Sequence, residues 1–343
     1  MAIVASIIDI RGKAYEPVIE EILFGNNTVA DNLVSFEVDV KAETIFTENV
    51  NTAVMQPYVT GIPVSQGSLG VIDTVITPVK VMYYQEFAME SLRTSRFKRT
   101  MKEGAWNTAS TEFEKSVMTS YGNLISHDAE RRFWTGLTPA TQTAIAALTA
   151  GTANNQVSAA EQNWAAAQNT STTFGALTIN QPIDGVVAKM IYNSGALGSR
   201  VKQLGTTITA TNIAVEYSKI YADIPAVVIN VSAEQPYIYA PYSHKQLINI
   251  FNVNATYRNI FSVSDNNKTY FYNGIEIKFV PLPENCMVVS LPSNLIWCTD
   301  LLSDLNFMEV NKIANNREDQ FIKNVFTLAA HVVNQKYNVL YLG

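Results

Sequence analysis

A chain of 343 residues is too long for one small module, and 47% hydrophobic side chains make it too apolar for a disordered one. Its formal charge of −6 disfavours sequence-specific binding of a polyanion, which needs clustered Lys and Arg to release counterions, so any nucleic-acid contact is local. Only 16% of residues are charged, below the usual ~25%, a surface that suits coverage by further copies of the chain but equally a crowded core or a glycosylated exterior.

The first ten residues are apolar but lack a basic start, and Asp9 and Arg11 interrupt them, so no secretory signal is expected. With no apolar run of membrane-spanning length, the expectation is a soluble chain made in a reducing cytoplasm. Its two cysteines, Cys286 and Cys298, match no redox or zinc spacing and read as buried thiols. Tyr15, Val18, Ile19, Ile22 and Leu23 recur at helical spacing over Lys13 to Phe24, with Gly25-Asn26 as a stop, predicting a short amphipathic helix. From Ser35 the period becomes two: Phe36, Val38 and Val40 alternate with Glu37, Asp39 and Lys41. Thr, Pro, Gly and Ser follow over Val50 to Leu69, and strand character resumes over Val71 to Val81. This predicts one long hairpin with a loose tip, which something else must cover because an isolated hairpin is marginal in water.

Phe113, Val117, Tyr121, Leu124 and Ile125 share one face of a predicted helix from Thr111 to Trp134, about 36 Å long. Thr111 and Glu114 have capping-box spacing, Arg131 and Arg132 oppose the dipole at its end, and Gly136 stops it. Leu137 to Ile183 holds one ionisable residue, Glu161, and reads as a low-complexity insertion with short helices around Gln142 to Leu148 and Ala159 to Ala167. Two more helices are expected at Gly185 to Tyr192 and Asn212 to Tyr221. Strands are expected at Ala226 to Val231, Pro236 to Ala240, Leu247 to Val253, Tyr270 to Tyr272, Ile275 to Val280 and Met287 to Ser290, with Asn273-Gly274 as a tight turn. Alternating runs at Phe307 to Ile313, Phe321 to Val333 and Tyr337 to Leu342 complete an α+β chain with mainly antiparallel sheet.

No catalytic or cofactor constellation emerges. His127, His244 and His331 have neither a nucleophile-elbow context nor metal-ligand spacing, and Gly195 to Gly198 lacks the Lys-Ser or Lys-Thr of a phosphate loop. The carboxylate pairs Glu112/Glu114, Asp300/Asp304 and Glu318/Asp319 read as solvated faces. One basic run stands out: Arg93, Arg96, Lys98, Arg99 and Lys102. It has three readings: a solvated helix face, salt bridges to a neighbouring subunit, or phosphate contact. For the second, Glu37, Asp39, Glu43 and Glu48 on the first arm of the hairpin are candidate partners.

The order of these parts resembles the major capsid proteins of tailed bacteriophages, whose fold encapsulin shells share. Thr77 to Val81 leading into Gln85 to Leu92 looks like that family's return strand and first peripheral helix, and His127 to Gly136 resembles the end of its spine helix. Asn294 to Asp304 looks like the stretch leading back from the axial to the peripheral domain, and Glu318 to Asn324 like the loop and strand after it. The likeness covers most of the chain and does not extend over Leu137 to Ile183. The resemblance implies an amino-terminal arm (1–34), an extended E-loop (35–81), a peripheral domain (82–182) with spine helix 111–134 and insertion 137–182, an axial domain (183–305) and returning carboxyl-terminal strands (306–343). It implies a structural protein without catalytic residues, cofactor or metal, assembling as hexamers and pentamers around double-stranded DNA in a virion built in the host cytoplasm. Portal, scaffolding and cementing proteins are the implied partners, contact with DNA is non-specific, and no membrane is involved. No scaffolding-like leader is seen, implying a separate scaffolding protein or a processed chain. An encapsulin-like compartment and an α+β enzyme with a substrate-binding insertion are the alternatives.

Overall fold

The computed structural model describes residues 8–10, 27–40, 43–52, 54–62, 64–87, 111–151, 153, 156–174, 177–192, 201–230, 234–254, 260–264, 269–300, 307–313 and 320–343. The helix expected over Lys13 to Phe24, the run from Arg93 to Lys102, Gly195 to Gly198 and the pair Glu318/Asp319 lie outside the described residues. The first elements in chain order are β1 (Ile8–Ile10), α1 (Asn27–Ala30), β2 (Ser35–Glu37), β3 (Thr44–Asn51), β4 (Leu69–Ile76), β5 (Val79–Phe87) and α2 (Thr111–Thr135). Next come α3 (Pro139–Ala147), α4 (Ala159–Ala167), β6 (Ser171–Phe174), β7 (Leu177–Asn180), α5 (Val186–Tyr192), β8 (Val201–Leu204), α6 (Ile213–Ala222) and α7 (Ala226–Ile229). Then follow β9 (Tyr237–Pro241), α8 (Tyr242–Asn254), β10 (Phe261–Ser264), β11 (Thr269–Tyr272), β12 (Ile275–Val280) and β13 (Cys286–Ser290). The last are β14 (Leu295–Cys298), β15 (Phe307–Lys312), β16 (Gln320–Val332) and β17 (Val339–Leu342).

Two sheets organise the chain. In the six-stranded sheet β16 is the axis: its first half lies between β15 and β5, with Gln320 opposite Phe87 and Leu328 opposite Val79, and its second half pairs with β14, which pairs in parallel with β2. The period of two sorts its faces. Ile322, Phe326 and Leu328 are buried in the same core as Ile125, Ala129 and Phe133, spaced four apart on one stripe of α2, and as Val186, Val187, Met190 and Ile191 of α5. The Phe133 ring stacks on Trp297 at 4.6 Å, and Trp134 meets Tyr239 of the other sheet at 4.9 Å. The seven-stranded sheet runs β10-β11-β12-β9-β13-β17-β8. A second core beneath it gathers Ile213, Tyr217 and Ile220 of α6, Ile248 of α8 and Phe261, Tyr270 and Tyr272.

Two glycines are forced by geometry. At the end of α2 a Cβ on Gly136 would lie 2.4 Å from the Arg132 carbonyl oxygen and 2.8 Å from that of Ile183. Asn273 and Gly274 have φ of 46° and 84°, the left-handed pair that the tight turn between β11 and β12 requires.

Several expectations need correction. Ala226 to Val231 is not a strand but the helical turn α7 behind Pro225, with Val228 alone turned into the core and Val227 and Ile229 exposed. Leu247 to Val253 lies inside helix α8, where His244 and Ile248, one turn apart, are the buried pair. Leu124, expected on the buried stripe of α2, is exposed. The hairpin is shorter than 35–81. Ser35–Glu37 belongs to the six-stranded sheet, Asp39 turns the chain with φ of 67°, and only β3 and β4 pair as a separate ribbon. Residues before Val81 also enter the cores: Val29, Leu33 and Val34 join the first, and Val40 and Ile76 form a third small cluster with Ile296, Cys298 and Ala329.

Candidate intersubunit surface

The β3–β4 ribbon is antiparallel from Thr44/Ile76 to Asn51/Leu69. Its pairing continues past the strands, where Thr52 and Ser68 exchange backbone and hydroxyl hydrogen bonds at 2.8–3.1 Å. The root is fastened to the body. Thr74 Oγ1 donates to the Phe46 carbonyl oxygen at 3.3 Å and accepts from Nε2 of His331 at 3.1 Å, and the Phe46 ring stacks on that imidazole. Burial of His331 lowers its pKa to about 4, with a further push from Lys189, so it sits there neutral.

The tip is the opposite. Met55 is 98% exposed, Tyr58 91% and Ile62 95%, with Val54 and Val64 also open. From Thr52 to Ser68 the sequence has no Asp, Glu, Lys or Arg. Single exposed apolar residues are ordinary, but an uncharged cluster on the end of an arm is not, and such patches mark interaction sites.

A second open apolar surface lies on the outer face of the six-stranded sheet. Met82, Tyr84, Ile313, Phe321 and Lys323 line an open cleft of ≈ 390 Å³, and the Tyr84 and Phe321 rings are 5.5 Å apart. Val81 and Tyr83, of the other parity on β5, turn inward: Val81 is buried and Tyr83 donates to Asp128 of α2 at 2.6 Å. Burial alone would raise the Asp128 pKa, but hydrogen bonds from Tyr83, Arg131 and Arg132 outweigh it and hold the carboxyl below its usual value. This cleft was missed in the sequence, although a signal was present. Both parities of Val81-Met82-Tyr83-Tyr84 are apolar, the pattern of a strand covered on two sides.

Of the acidic residues on the first arm, Glu37 is exposed at the end of β2, Asp39 and Glu43 are exposed around the turn, and Glu48 is opposite Ile72 in the ribbon with its side chain outside the described set. The basic run lies outside the described residues, so no pair between the two groups is observed. Asp300 is buried, whereas Asp304 and the side chains of Glu112 and Glu114 also lie outside the described set.

Two of the three histidines and both cysteines weighed for chemistry are built into packing. His244 donates through Nε2 to the Glu284 carbonyl oxygen at 2.9 Å and accepts at Nδ1 from Tyr217 at 3.1 Å, and burial lowers its pKa to about 4. Cys286 and Cys298 are free and buried; burial, with a further push from Glu37, raises the Cys298 thiol to about 12. His127 is exposed on α2. Glu161, the single ionisable residue of the insertion, is fully buried, its carboxylate accepting from the Ser158 backbone N–H at 2.6 Å in a reciprocal cap of α4. Lys202 of β8 donates to three carbonyl oxygens of the insertion, those of Gly151, Ala153 and Gln156, at 2.8–3.2 Å. Among the described residues no group of three or more His, Cys, Asp or Glu could hold a metal ion, and no helix is long and apolar enough to cross a membrane.

Comparison with solved structures identifies the architecture. A chain of the satellite phage P4 procapsid that includes the size-determination protein Sid superposes with a TM-score of 0.53 at 9% identity, covering 99% of this chain and 93% of that one. A chain of the Mycobacterium phage Ogopogo structure gives 0.53 at 8% identity, over 92% and 91% of the two chains. The capsid of an empty GTA particle gives 0.52 at 10%, over 92% and 90%. The chain therefore has the α+β fold of phage capsid subunits, as the order of its sequence motifs implied. No family model and no curated protein matches the sequence.

Proposed function

We propose that this chain is a structural, non-enzymatic major capsid protein. In this reading it self-assembles as hexamers and pentamers into an icosahedral shell around the double-stranded DNA of a tailed bacteriophage. The observation that carries the reading is the β3–β4 ribbon: its root is locked by His331 and Thr74, and its uncharged tip stands open with Met55, Tyr58 and Ile62 exposed. A free monomer gains nothing from such an arm. Neighbours in a shell would cover the open tip, and the low charge content, 16% of residues, spares them the desolvation of many ion pairs.

Portal, scaffolding and cementing proteins are proposed partners, assembly is placed in the host cytoplasm, and contact with packaged DNA is expected to be non-specific. At subunit boundaries, Glu37, Asp39, Glu43 and Glu48 are proposed to face Arg93, Arg96, Lys98, Arg99 or Lys102 of another copy. Each exposed pair is worth about 0–1 kcal/mol, so repetition around the shell has to supply the effect. Charge reversal at Arg96 and Arg99 should impair assembly at moderate salt and leave monomer folding intact; normal shells at every salt concentration refute the pairing. The shell itself is tested by negative-stain microscopy and sedimentation of the purified full chain. Closed particles or capsomers are expected, and a monodisperse monomer at high concentration overturns the proposal.

A further inference from the structure

The insertion between α2 and α5 is fastened at its base, along its middle and at its far end. At the base, the Gly185 N–H donates to the Gly136 carbonyl oxygen at 2.9 Å, closing the loop where it leaves and re-enters the body. Asp184 there accepts from the Thr138 N–H at 2.7 Å and from the Thr141 hydroxyl at 2.6 Å. In the middle, two glutamines cap each other's helix. Gln142 of α3 donates to the Ala165 and Gln168 carbonyl oxygens at 2.7 and 3.2 Å, and Gln162 of α4 donates to those of Ile145 and Leu148 at 3.3 and 2.7 Å. These acceptors lie at or just past the helix ends, where intrahelical donors run out, so the two helices are stiffened without a charge. At the far end, the loop between α3 and α4 turns the carbonyl oxygens of Gly151, Ala153 and Gln156 onto the ammonium of Lys202, at 2.8, 3.0 and 3.2 Å, and Lys202 is only 9% exposed.

The two ends rest on different sheets. The base grows from the end of α2, and α3 packs against α5, which packs in turn against α2 and against β16 of the six-stranded sheet. Lys202 belongs to β8, the last strand of the seven-stranded sheet, which pairs in parallel with β17 and sets Lys202 opposite Leu340. We infer that the insertion is a strut across the subunit, anchored by Asp184 on the side of the six-stranded sheet and by Lys202 on the side of the seven-stranded one, and that it holds the two sheets at one angle. Both anchors are a carboxylate or an ammonium bonded to neutral groups, the stronger class of hydrogen bond, so the strut is gripped hardest at its ends. Burial gives it a seat as well: Val157, Trp164 and Ala165 lie in the same core as Leu340 and Leu342 of β17. Such a strut acts within one subunit and stands apart from the shell reading.

The test uses the full chain with spin labels at Leu124→Cys on α2 and Val253→Cys on α8, both exposed, while the native Cys286 and Cys298 are buried and stay silent. Pulsed electron resonance should give one narrow distance between the labels. Lys202→Met, which keeps the apolar stem and removes the ammonium, should at least double the width of that distribution. It should also speed amide exchange at least tenfold over 148–157 and 201–204, with less than a threefold change inside α3 and α4. Gln203→Met, the next residue on the same strand, should change neither. An unchanged width in Lys202→Met overturns the strut, and so does equal broadening in Gln203→Met, because the strand and not the ammonium would then be responsible. Should Lys202→Met fail to fold, exchange in the wild-type chain decides. The Gly151 and Gln156 N–H groups, bonded to the Val157 and Ala153 carbonyl oxygens, should exchange within tenfold of the Gly205 N–H, which bonds to Leu342 just past β8, and any faster exchange in the loop overturns the proposal.

Discussion

Replacing Thr28 by valine, which keeps the shape and removes one oxygen, should cost a large part of the stability of the subunit. Thr28 is fully buried and sits in α1, where its backbone N–H and its hydroxyl both donate to Oε1 of Glu130, at 2.9 and 2.6 Å, and Trp134 Nε1 donates to its hydroxyl oxygen at 2.9 Å. Valine deletes a hydrogen bond to a buried carboxylate, worth about 1.5–3 kcal/mol, and leaves the indole N–H of Trp134 without a partner, costing about 1–3 kcal/mol more. The backbone bond to Glu130 survives, so the expected loss is roughly 2.5–6 kcal/mol, against a typical total of about 5–15 kcal/mol. Urea unfolding followed by tryptophan fluorescence measures it, with an unchanged slope confirming that compactness is not altered. In a double-mutant cycle, Trp134→Phe combined with Thr28→Val should be less than additive, because the second change removes the stranded donor. A loss below about 0.5 kcal/mol for Thr28→Val alone would refute the view that this node ties the amino-terminal segment to α2.

The two buried histidines predict a pH dependence. With folded pKa values of about 4 for both His244 and His331, lower than the ~6.5 of the unfolded chain, their stabilisation is full above pH 6.5 and is lost as pH falls from there toward 4; denaturant titrations should show roughly 2 kcal/mol per histidine between pH 7 and 5. Glu161→Ala removes the reciprocal cap of α4 and strands the Ser158 N–H. It should cost about 1–3 kcal/mol and appear as faster amide exchange across 137–183, whereas unchanged exchange there would show that the cap is dispensable. Gly274→Ala places a side chain at φ of 84° and should lower stability by about 1 kcal/mol, read as a melting shift of a few degrees; an unshifted melt would contradict the strained-turn account.

What could be read from the sequence was what local pattern alone decides. The long helix, the two helices of the insertion, the Asn273-Gly274 turn and the strand at Ile275–Val280 rest on spacing and turn chemistry within a few residues. Leu247 to Val253 failed because its apolar residues fall on both parities and on more than one helical face. Only its packing, with Ile248 inward and Val253 outward, selects the helix. Ser35 to Lys41 alternated well enough for a strand, but its partner, Leu295–Cys298, is some 260 residues away in sequence, and Asp39 leaves the extended region where alternation could not reveal it. The candidate surface divided in the same way. The uncharged tip was legible in composition, whereas the cleft needs β5, β15 and β16 side by side before Met82, Ile313 and Phe321 become neighbours.

The same strand register that fastens the ribbon also limits what a lone subunit can do with it. A loop that could fold back would bury Met55, Tyr58 and Ile62 against its own body and leave no reason to assemble. The ribbon is denied that route, because Thr74 and Ile76 are buried at its root while pairing extends outward to Thr52 and Ser68. Burying one such side chain fully is worth about 1.5–3 kcal/mol, so three of them hold several kilocalories per mole that only another molecule can release. Association consumes part of this in lost freedom, and less when the arm is held straight beforehand. On the proposed shell reading, rigidity at the root serves assembly, and loosening it by Thr74→Val or His331→Phe should weaken particles, followed by sedimentation, more than it lowers the melting temperature of the subunit.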